Sequence, residues 1–221
     1  MPLTERKIRR KIRTVANIQQ ITKAMRMVAA ARLRRVQQRM ESGRVYSEKL
    51  DEVVHRVARA AGDVSHPLLE VRPIQTSCVV LVGADKGLCG SYNVNVNRTG
   101  ADLISQLTRD GQRVIVITIG RKARAFLRHR RVEPAYHFSQ ITGQSDVSEA
   151  LAVSRQVRWL YEQRHVDRVQ VVYTRFISTI RHVASVADLL PVVTAAADGD
   201  EAAGPADYIF EPAPEKLFAA L

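Results

Sequence analysis

Aromatic residues make up only 5% of this 221-residue chain, and cysteine occurs only twice. A folded core must therefore be built mainly from Val, Ile, Leu and Ala. Cys78 and Cys89 form no CxxC pair, and the six histidines show no HExxH or HxxxH spacing. These absences predict no metal site and no cofactor, and they indicate that both cysteines act as buried small hydrophobic residues.

Long apolar segments are also missing. No run approaches the roughly 18 consecutive apolar residues that a membrane span needs. The N-terminus is charged from Glu5 onward and lacks the apolar core of a signal peptide. We therefore expect the chain to stay in the cytoplasm.

Motifs of catalysis and of nucleotide binding are absent as well. There is no G-x-S-x-G elbow, no G-x-x-x-x-G-K-[ST] loop and no G-x-G-x-x-G fingerprint. The segment Gly83–Gly90 follows a strand-like run and resembles a phosphate loop only in its position. We predict no catalytic residue, and we assign Gly87 and Gly90 to a tight turn with close helix–strand packing.

Proline is absent between Thr4 and Ala61, and Gly43 is the only glycine there. Good helix formers dominate this segment, which predicts one helix about 87 Å long. Such a helix must project from a domain of this size. Its apolar residues recur every three or four positions, as in a coiled coil, at Ile8, Ile12, Val15, Ile18, Ile21, Met25 and Val28. An amphipathic helix packed on its own domain remains the alternative.

The positive charge is concentrated in the same segment. Residues 1–61 hold 16 Lys and Arg against five Asp and Glu, a net of +11 out of the chain's +12. The partner should therefore be acidic: nucleic acid, anionic lipid or an acidic protein surface. A nucleic-acid arm is the main rival hypothesis, but no helix-turn-helix, zinc finger or aromatic platform accompanies the basic cluster of residues 6–13.

The rest of the chain alternates between two kinds of segment. Residues 62–76 contain Pro67 and Pro73 and are typical of a linker. Beyond them, apolar runs of strand length at 77–83, 113–119 and 169–173 alternate with helical stretches at 94–110, 121–131 and 145–164, and 181–193 has the composition of a further strand. This alternation predicts an α/β fold with a mainly parallel sheet over residues 77–221. Residues 198–205 have the composition of an exposed loop.

Several segments carry a resemblance to a known family. Residues 17–40, with Ile-Thr-Lys-Ala-Met at 21–25, closely resemble the N-terminal helix of the F-type ATP synthase gamma subunit. Ala-Asp-Lys-Gly-Leu-Cys-Gly at 84–90, with Asn93 and Asn95, is similar to a signature of that family. Phe-Ile-Ser-Thr-Ile at 176–180, Leu-Leu-Pro at 189–191 and Asp-Tyr-Ile-Phe-Glu-Pro at 207–212 follow in the family's order.

The resemblance implies a fold and a function. It implies a Rossmann-like central domain with a mainly parallel sheet, plus a projecting N-terminal coiled-coil helix at residues 1–61. The protein would be the non-catalytic central-stalk rotor subunit of a proton-transporting rotary ATP synthase, peripheral at the cytoplasmic face of a bacterial inner membrane. Its expected partners are the alpha and beta subunits of the catalytic ring, the epsilon subunit and the membrane c-ring, and not nucleic acid.

The resemblance also assigns residues to contacts. It places a rotor–stator contact at Ile21, Lys23, Met25, Arg26 and Val28. It places a membrane-ring contact at Tyr208, Phe210 and Glu211, where Phe210 replaces a tyrosine of the family. The family's C-terminal shaft helix would begin beyond Leu221, so we expect it to be absent from this sequence.

Overall fold

The computed structural model describes residues 5–60, 66–139 and 147–192. The chain divides into two compact units, one ending at Val57 and one beginning at Ala58.

The first unit consists of one long helix, α1, which runs from Glu5 to Ala60, so that its last three residues are assigned to the second unit. The helix predicted from the absence of proline is therefore confirmed. Ion pairs one turn apart support its surface, with Glu5 Oε1 lying 2.6 Å from Arg9 and Glu48 Oε1 lying 2.6 Å from Arg44. Each exposed pair of this kind stabilises a helix by only about 0.2–0.5 kcal/mol, so α1 depends mainly on its backbone propensity and on packing of its apolar face.

The second unit is an α/β layer built on a five-stranded sheet. Its elements in chain order are β1 Thr76–Val82, α2 Tyr92–Arg109, β2 Arg113–Ile119, α3 Arg121–His129, β3 Tyr136–Phe138, α4 Val147–Glu162, β4 Arg168–Phe176 and β5 His182–Leu190. A short 3-10 helix, Pro67–Leu69, precedes β1. The strand order is β3-β2-β1-β4-β5, parallel except for the β4–β5 pair. The predicted mainly parallel sheet is confirmed.

The central strand β1 explains why both faces of the sheet are covered. Its residues alternate between two apolar clusters, because successive side chains of a strand point to opposite faces. Cys78 and Val80 belong to the cluster that contains Tyr161 of α4. Val79 and Leu81 belong to the cluster formed with α2 and α3. The continuous apolar run of this strand therefore reflects burial on both sides.

One predicted strand is shorter than expected, and one strand was not predicted. The fifth strand ends at Leu190 instead of reaching residue 193. The three-residue strand β3 pairs with β2 through Ile117–Ile119 and has no apolar run of its own. The position of β3 follows from the free edge of β2, which offers backbone groups for pairing. The predicted loop at 198–205 lies outside the described residues.

Candidate functional site

The apolar stripe of α1 is exposed in the structure. The exposed fraction is 59% for Ile21, 55% for Met25 and 52% for Val28. Lys23 and Arg26, which share this segment, are also exposed. The structure thus presents all five residues of the expected rotor–stator contact on one stretch of helix. Exposed apolar side chains repeated at this spacing are typical of a seam that another helix or a protein sleeve covers.

A basic cluster lies at the start of the same helix. Arg6, Lys7, Arg9, Arg10 and Arg13 line one open cleft. Within the part of the chain that the structure describes, the Arg9–Glu5 pair is the one ion pair made by this cluster. The cluster therefore presents an excess of positive charge, which suits an acidic partner surface.

The turn between β1 and α2 is held by the side chain of Asn93. Its Oδ1 accepts a hydrogen bond from the Ala84 amide at 3.0 Å, and its Nδ2 donates to the Lys86 carbonyl at 3.4 Å. The same Nδ2 lies 3.1 Å from Cys89 Sγ. One amide side chain thus fixes both ends of the turn, and this explains why the segment 84–90 folds back on itself before α2 begins.

Asp85 connects this turn to α3. Its Oδ1 accepts a hydrogen bond from the Arg121 amide at 3.0 Å, at the first residue of the helix. The Arg121 Nε atom lies 3.7 Å from the same oxygen. Negative groups are stabilised at a helix N-terminus, and the Asp85 carboxylate already occupies the N-terminus of α3. A phosphate could bind there only by displacing Asp85. The turn therefore has a structural role, because it connects β1 to the start of α3.

The glycines of this region have different roles. Gly90 has a φ of 57°, in the left-handed region. At Gly87 a Cβ would meet only Lys122 Cε, at 3.9 Å, which is an ordinary contact. The close approach between helix and strand lies at Gly83 instead, where a Cβ would come within 2.9 Å of Ala123 Cβ. Sequence reasoning missed Gly83 in this role, although a glycine directly after a buried strand is a signal for close approach.

The two cysteines lie in opposite environments. Cys78 is fully buried in β1, and burial raises the pKa of its thiol to about 12. This agrees with its predicted role as a small hydrophobic residue. Cys89 is exposed, in contrast to the same prediction. It lies in the turn and not in a strand, because the apolar run ends at Val82.

Tyr208, Phe210 and Glu211 lie outside the described residues. Across residues 5–60, 66–139 and 147–192, no cluster of His, Cys, Asp or Glu is suited to hold a metal ion. In those same ranges no helix is both long and apolar enough to cross a membrane.

The comparison with curated proteins gives one consistent result. The chain is 37% identical to the ATP synthase gamma chain of Desulfitobacterium hafniense over 216 residues, which is 98% of this chain and 74% of that one. It is 38% identical to the ATP synthase gamma chain of Moorella thermoacetica over the same shares.

Solved structures and the family profile agree with these relatives. The central stalk and c-ring of the Tetrahymena thermophila mitochondrial ATP synthase include a chain with a TM-score of 0.57 and 26% identity, covering 77% of this chain and 72% of that chain. A rotor chain of the Euglena gracilis enzyme shares the fold, with a TM-score of 0.54 at 17% identity, covering 82% and 61%. The ATP synthase family profile matches residues 4–221. This chain therefore belongs to the ATP synthase gamma-chain family, the central-stalk rotor subunits of the rotary enzyme.

Proposed function

We propose that this chain is a non-catalytic shaft, which transmits rotation between a proton-driven c-ring and the catalytic ring. The observation that carries the proposal is the exposed apolar stripe of α1, on a chain that is similar to gamma chains over 98% of its length. A shaft that turns inside a sleeve needs a rigid element with a continuous contact face, and a 56-residue helix provides both.

Ile21, Lys23, Met25, Arg26 and Val28 form the proposed rotor–stator contact with the alpha and beta subunits. Their exposure and their position on one short stretch of helix support this assignment. The apolar members can slide against a ring of protein, because burial of apolar surface has little directional preference. The basic members, together with residues 6–13, suit acidic segments of the ring.

The further partners follow from the family. The epsilon subunit and the c-ring complete the central stalk, and Tyr208, Phe210 and Glu211 form the contact with the ring. The complex would bring the chain to the cytoplasmic face of a bacterial inner membrane as a peripheral subunit. The bacterial sources of the similar gamma chains support this location.

Reconstitution tests the proposal directly. The full chain is co-expressed with the alpha and beta subunits of a bacterial ATP synthase, and the purified complex is assayed for ATP hydrolysis. We expect the chain to co-purify with the ring and to have no hydrolysis of its own. Hydrolysis by the isolated chain would contradict a non-catalytic role. Tight, sequence-specific DNA or RNA binding at physiological salt would instead support the nucleic-acid alternative.

The proposed foot contact has a separate test. The double variant Tyr208→Ala, Glu211→Ala removes a phenol and a charge without touching α1. We expect the soluble complex to assemble normally and to be released more readily from membranes that contain the c-ring. ATPase activity retained on washed membranes measures this, and unaltered retention would contradict a ring contact at Tyr208 and Glu211.

A further inference from the structure

A cleft of about 460 Å³ opens where the sheet strands begin and α4 ends. We call it the amino-edge cleft. It lies at the end of the parallel strands opposite to the turn 84–90. Its lining includes Thr76, Arg113, Tyr136, Trp159, Arg164 and Asp167. The volume falls within the range of about 300–1,000 Å³ that small-molecule sites occupy.

One wall of the cleft is aromatic. Trp159 of α4 is 47% exposed although the neighbouring Leu160 and Tyr161 are buried. The His165 ring lies against the indole, with 5.0 Å between ring centroids and 44° between ring planes. Tyr136 of β3 and Ile115 of β2 continue the wall. A planar ring that enters the cleft could stack on the Trp159 indole, because His165 already holds the indole in place.

The rim of the cleft is cationic. Arg113 is exposed at the start of β2, and its guanidinium makes no hydrogen bond or ion pair with any of the described residues. Arg164 pairs with Glu70 at 3.1 Å but keeps 70% of its side chain exposed. An arginine without a partner beside an aromatic wall is a typical binding group for carboxylate or phosphate.

The negative groups nearby are already satisfied. Asp167 Oδ2 accepts hydrogen bonds from the Gln75 amide at 3.0 Å and from the Thr76 amide at 2.9 Å. The last carbonyls of α4 are also occupied, because Leu160 O accepts from His165 N at 2.9 Å and Trp159 O accepts from Gln163 N at 3.0 Å. Arg113 is thus a charged donor at the rim that has no partner among the described residues, which favours an anion.

From these features we infer that the amino-edge cleft binds a small ligand that combines a planar aromatic ring with a negative charge, of the class of a nucleoside monophosphate. The ring stacks on Trp159, and the anion pairs with Arg113. No chemical step is involved. All the lining residues belong to the second unit and none belongs to the turn 84–90, so the inference does not depend on the proposed rotor role.

The reporter for this site is built into the chain, because Trp159 is its only tryptophan. The full chain is titrated with AMP, with adenosine as the ring without the anion, and with inorganic phosphate as the anion without the ring. Excitation at the red edge of the indole band avoids adenine absorption. We expect saturable quenching by AMP in the millimolar range or below, at least about tenfold weaker binding of adenosine, and no change with phosphate.

Variants assign the two contacts. Arg113→Gln should weaken AMP binding by about tenfold or more, the usual consequence of losing a charge-assisted hydrogen bond. Arg98→Gln on α2 removes the same charge from an exposed residue outside the lining of the cleft and should leave AMP binding unchanged. Trp159→Phe, followed by saturation-transfer NMR on AMP, tests binding without the fluorescent reporter and should retain weaker binding.

Three outcomes would overturn the inference. The first is no saturable signal with AMP by either fluorescence or saturation-transfer NMR. The second is equal affinity of the Arg113→Gln variant and the parent chain. The third is that iodide fails to quench Trp159 in the assembled complex while it quenches the isolated chain, because the cleft would then be covered by a protein partner.

Discussion

Gly100 of α2 lies directly against Leu81 of β1, so closely that a Cβ on this glycine would come within 2.7 Å of Leu81 Cδ1. Leu81 is fully buried, so its side chain has little room to move away. The contact sets how near α2 can approach the sheet, and it thereby positions the turn that precedes the helix.

Gly100→Ala is therefore expected to destabilise the second unit. Overpacking a well-packed core typically costs about 1–3 kcal/mol, while alanine in a helix regains about 1 kcal/mol. We expect a net loss of up to about 2 kcal/mol in the free energy of unfolding, measured by denaturant titration. Gly43→Ala on α1, where a Cβ would meet nothing within 4 Å, is the control and should increase helicity. Stabilisation by Gly100→Ala would contradict the close contact.

The two thiols should differ sharply in reactivity. Cys78 is buried and the pKa of its thiol is raised to about 12, so almost no thiolate forms at neutral pH. Cys89 is exposed in the turn. We expect one rapidly reacting thiol per chain with a chromogenic disulfide reagent at pH 8, and two after denaturation. Cys89→Ser should abolish the rapid phase, whereas a remaining rapid phase would show that β1 opens readily.

Two histidines should make the second unit less stable in mild acid. Burial lowers the pKa of His66, aided by Arg158 and opposed by Glu162, and burial with nearby Arg124 lowers the pKa of His137. Both rings also accept or share hydrogen bonds at Nδ1, with the Leu68 amide at 3.2 Å and with the Thr118 hydroxyl at 3.1 Å.

The direction in which stability changes with pH follows from the linkage between proton binding and folding. The folded state prefers the neutral rings. Their contribution to the free energy of unfolding is therefore complete above the ordinary pKa of 6.5, and it is lost as the pH falls from 6.5 through the lowered pKa values of the folded state. Below both values the loss stops growing. Proton NMR of the ring resonances should give midpoints below 6.5 for both residues. A midpoint at or above the ordinary value would contradict the assignment of these partly buried rings as neutral.

If the apolar stripe of α1 contacts the alpha and beta subunits, the effect of an added charge on assembly should depend on the face of the helix that carries it. Ile21→Asp introduces a carboxylate on the apolar stripe, where it would be desolvated by a surrounding protein ring. Burial of an unpaired charge costs several kcal/mol, so we expect the complex with alpha and beta subunits to form at least about tenfold less well. Size-exclusion chromatography of the co-expressed subunits measures this.

Gln19→Asp provides the matched control for that experiment. It adds the same charge to α1 but lies about 200° around the helix from Ile21. We expect near-normal assembly for this variant. Equal loss in both variants would show that net charge, and not the apolar face, governs the contact.

Elements that a short segment specifies by itself were predictable from the sequence. The start of α1 and the whole of β2 were predicted to within one residue, because each is specified by its own composition. The strand β3 and the capping of α3 by Asp85 were not predicted. Both depend on partners, an open edge of β2 and an amide 36 residues away, that leave no mark on the neighbouring sequence.

The sequence by itself determined the long helix, the alternating α/β pattern and the family, because helix propensity, apolar periodicity and motifs are properties of short contiguous segments. Only the tertiary structure decided which residues share a site. Thr76, Arg113 and Trp159 line one cleft although they are far apart in the chain. The parallel register of β1 and β2, which pairs Thr76 with Arg113, brings two of them together. Parallel pairing joins strands across an intervening helix, so such neighbours become visible only after the sheet has formed.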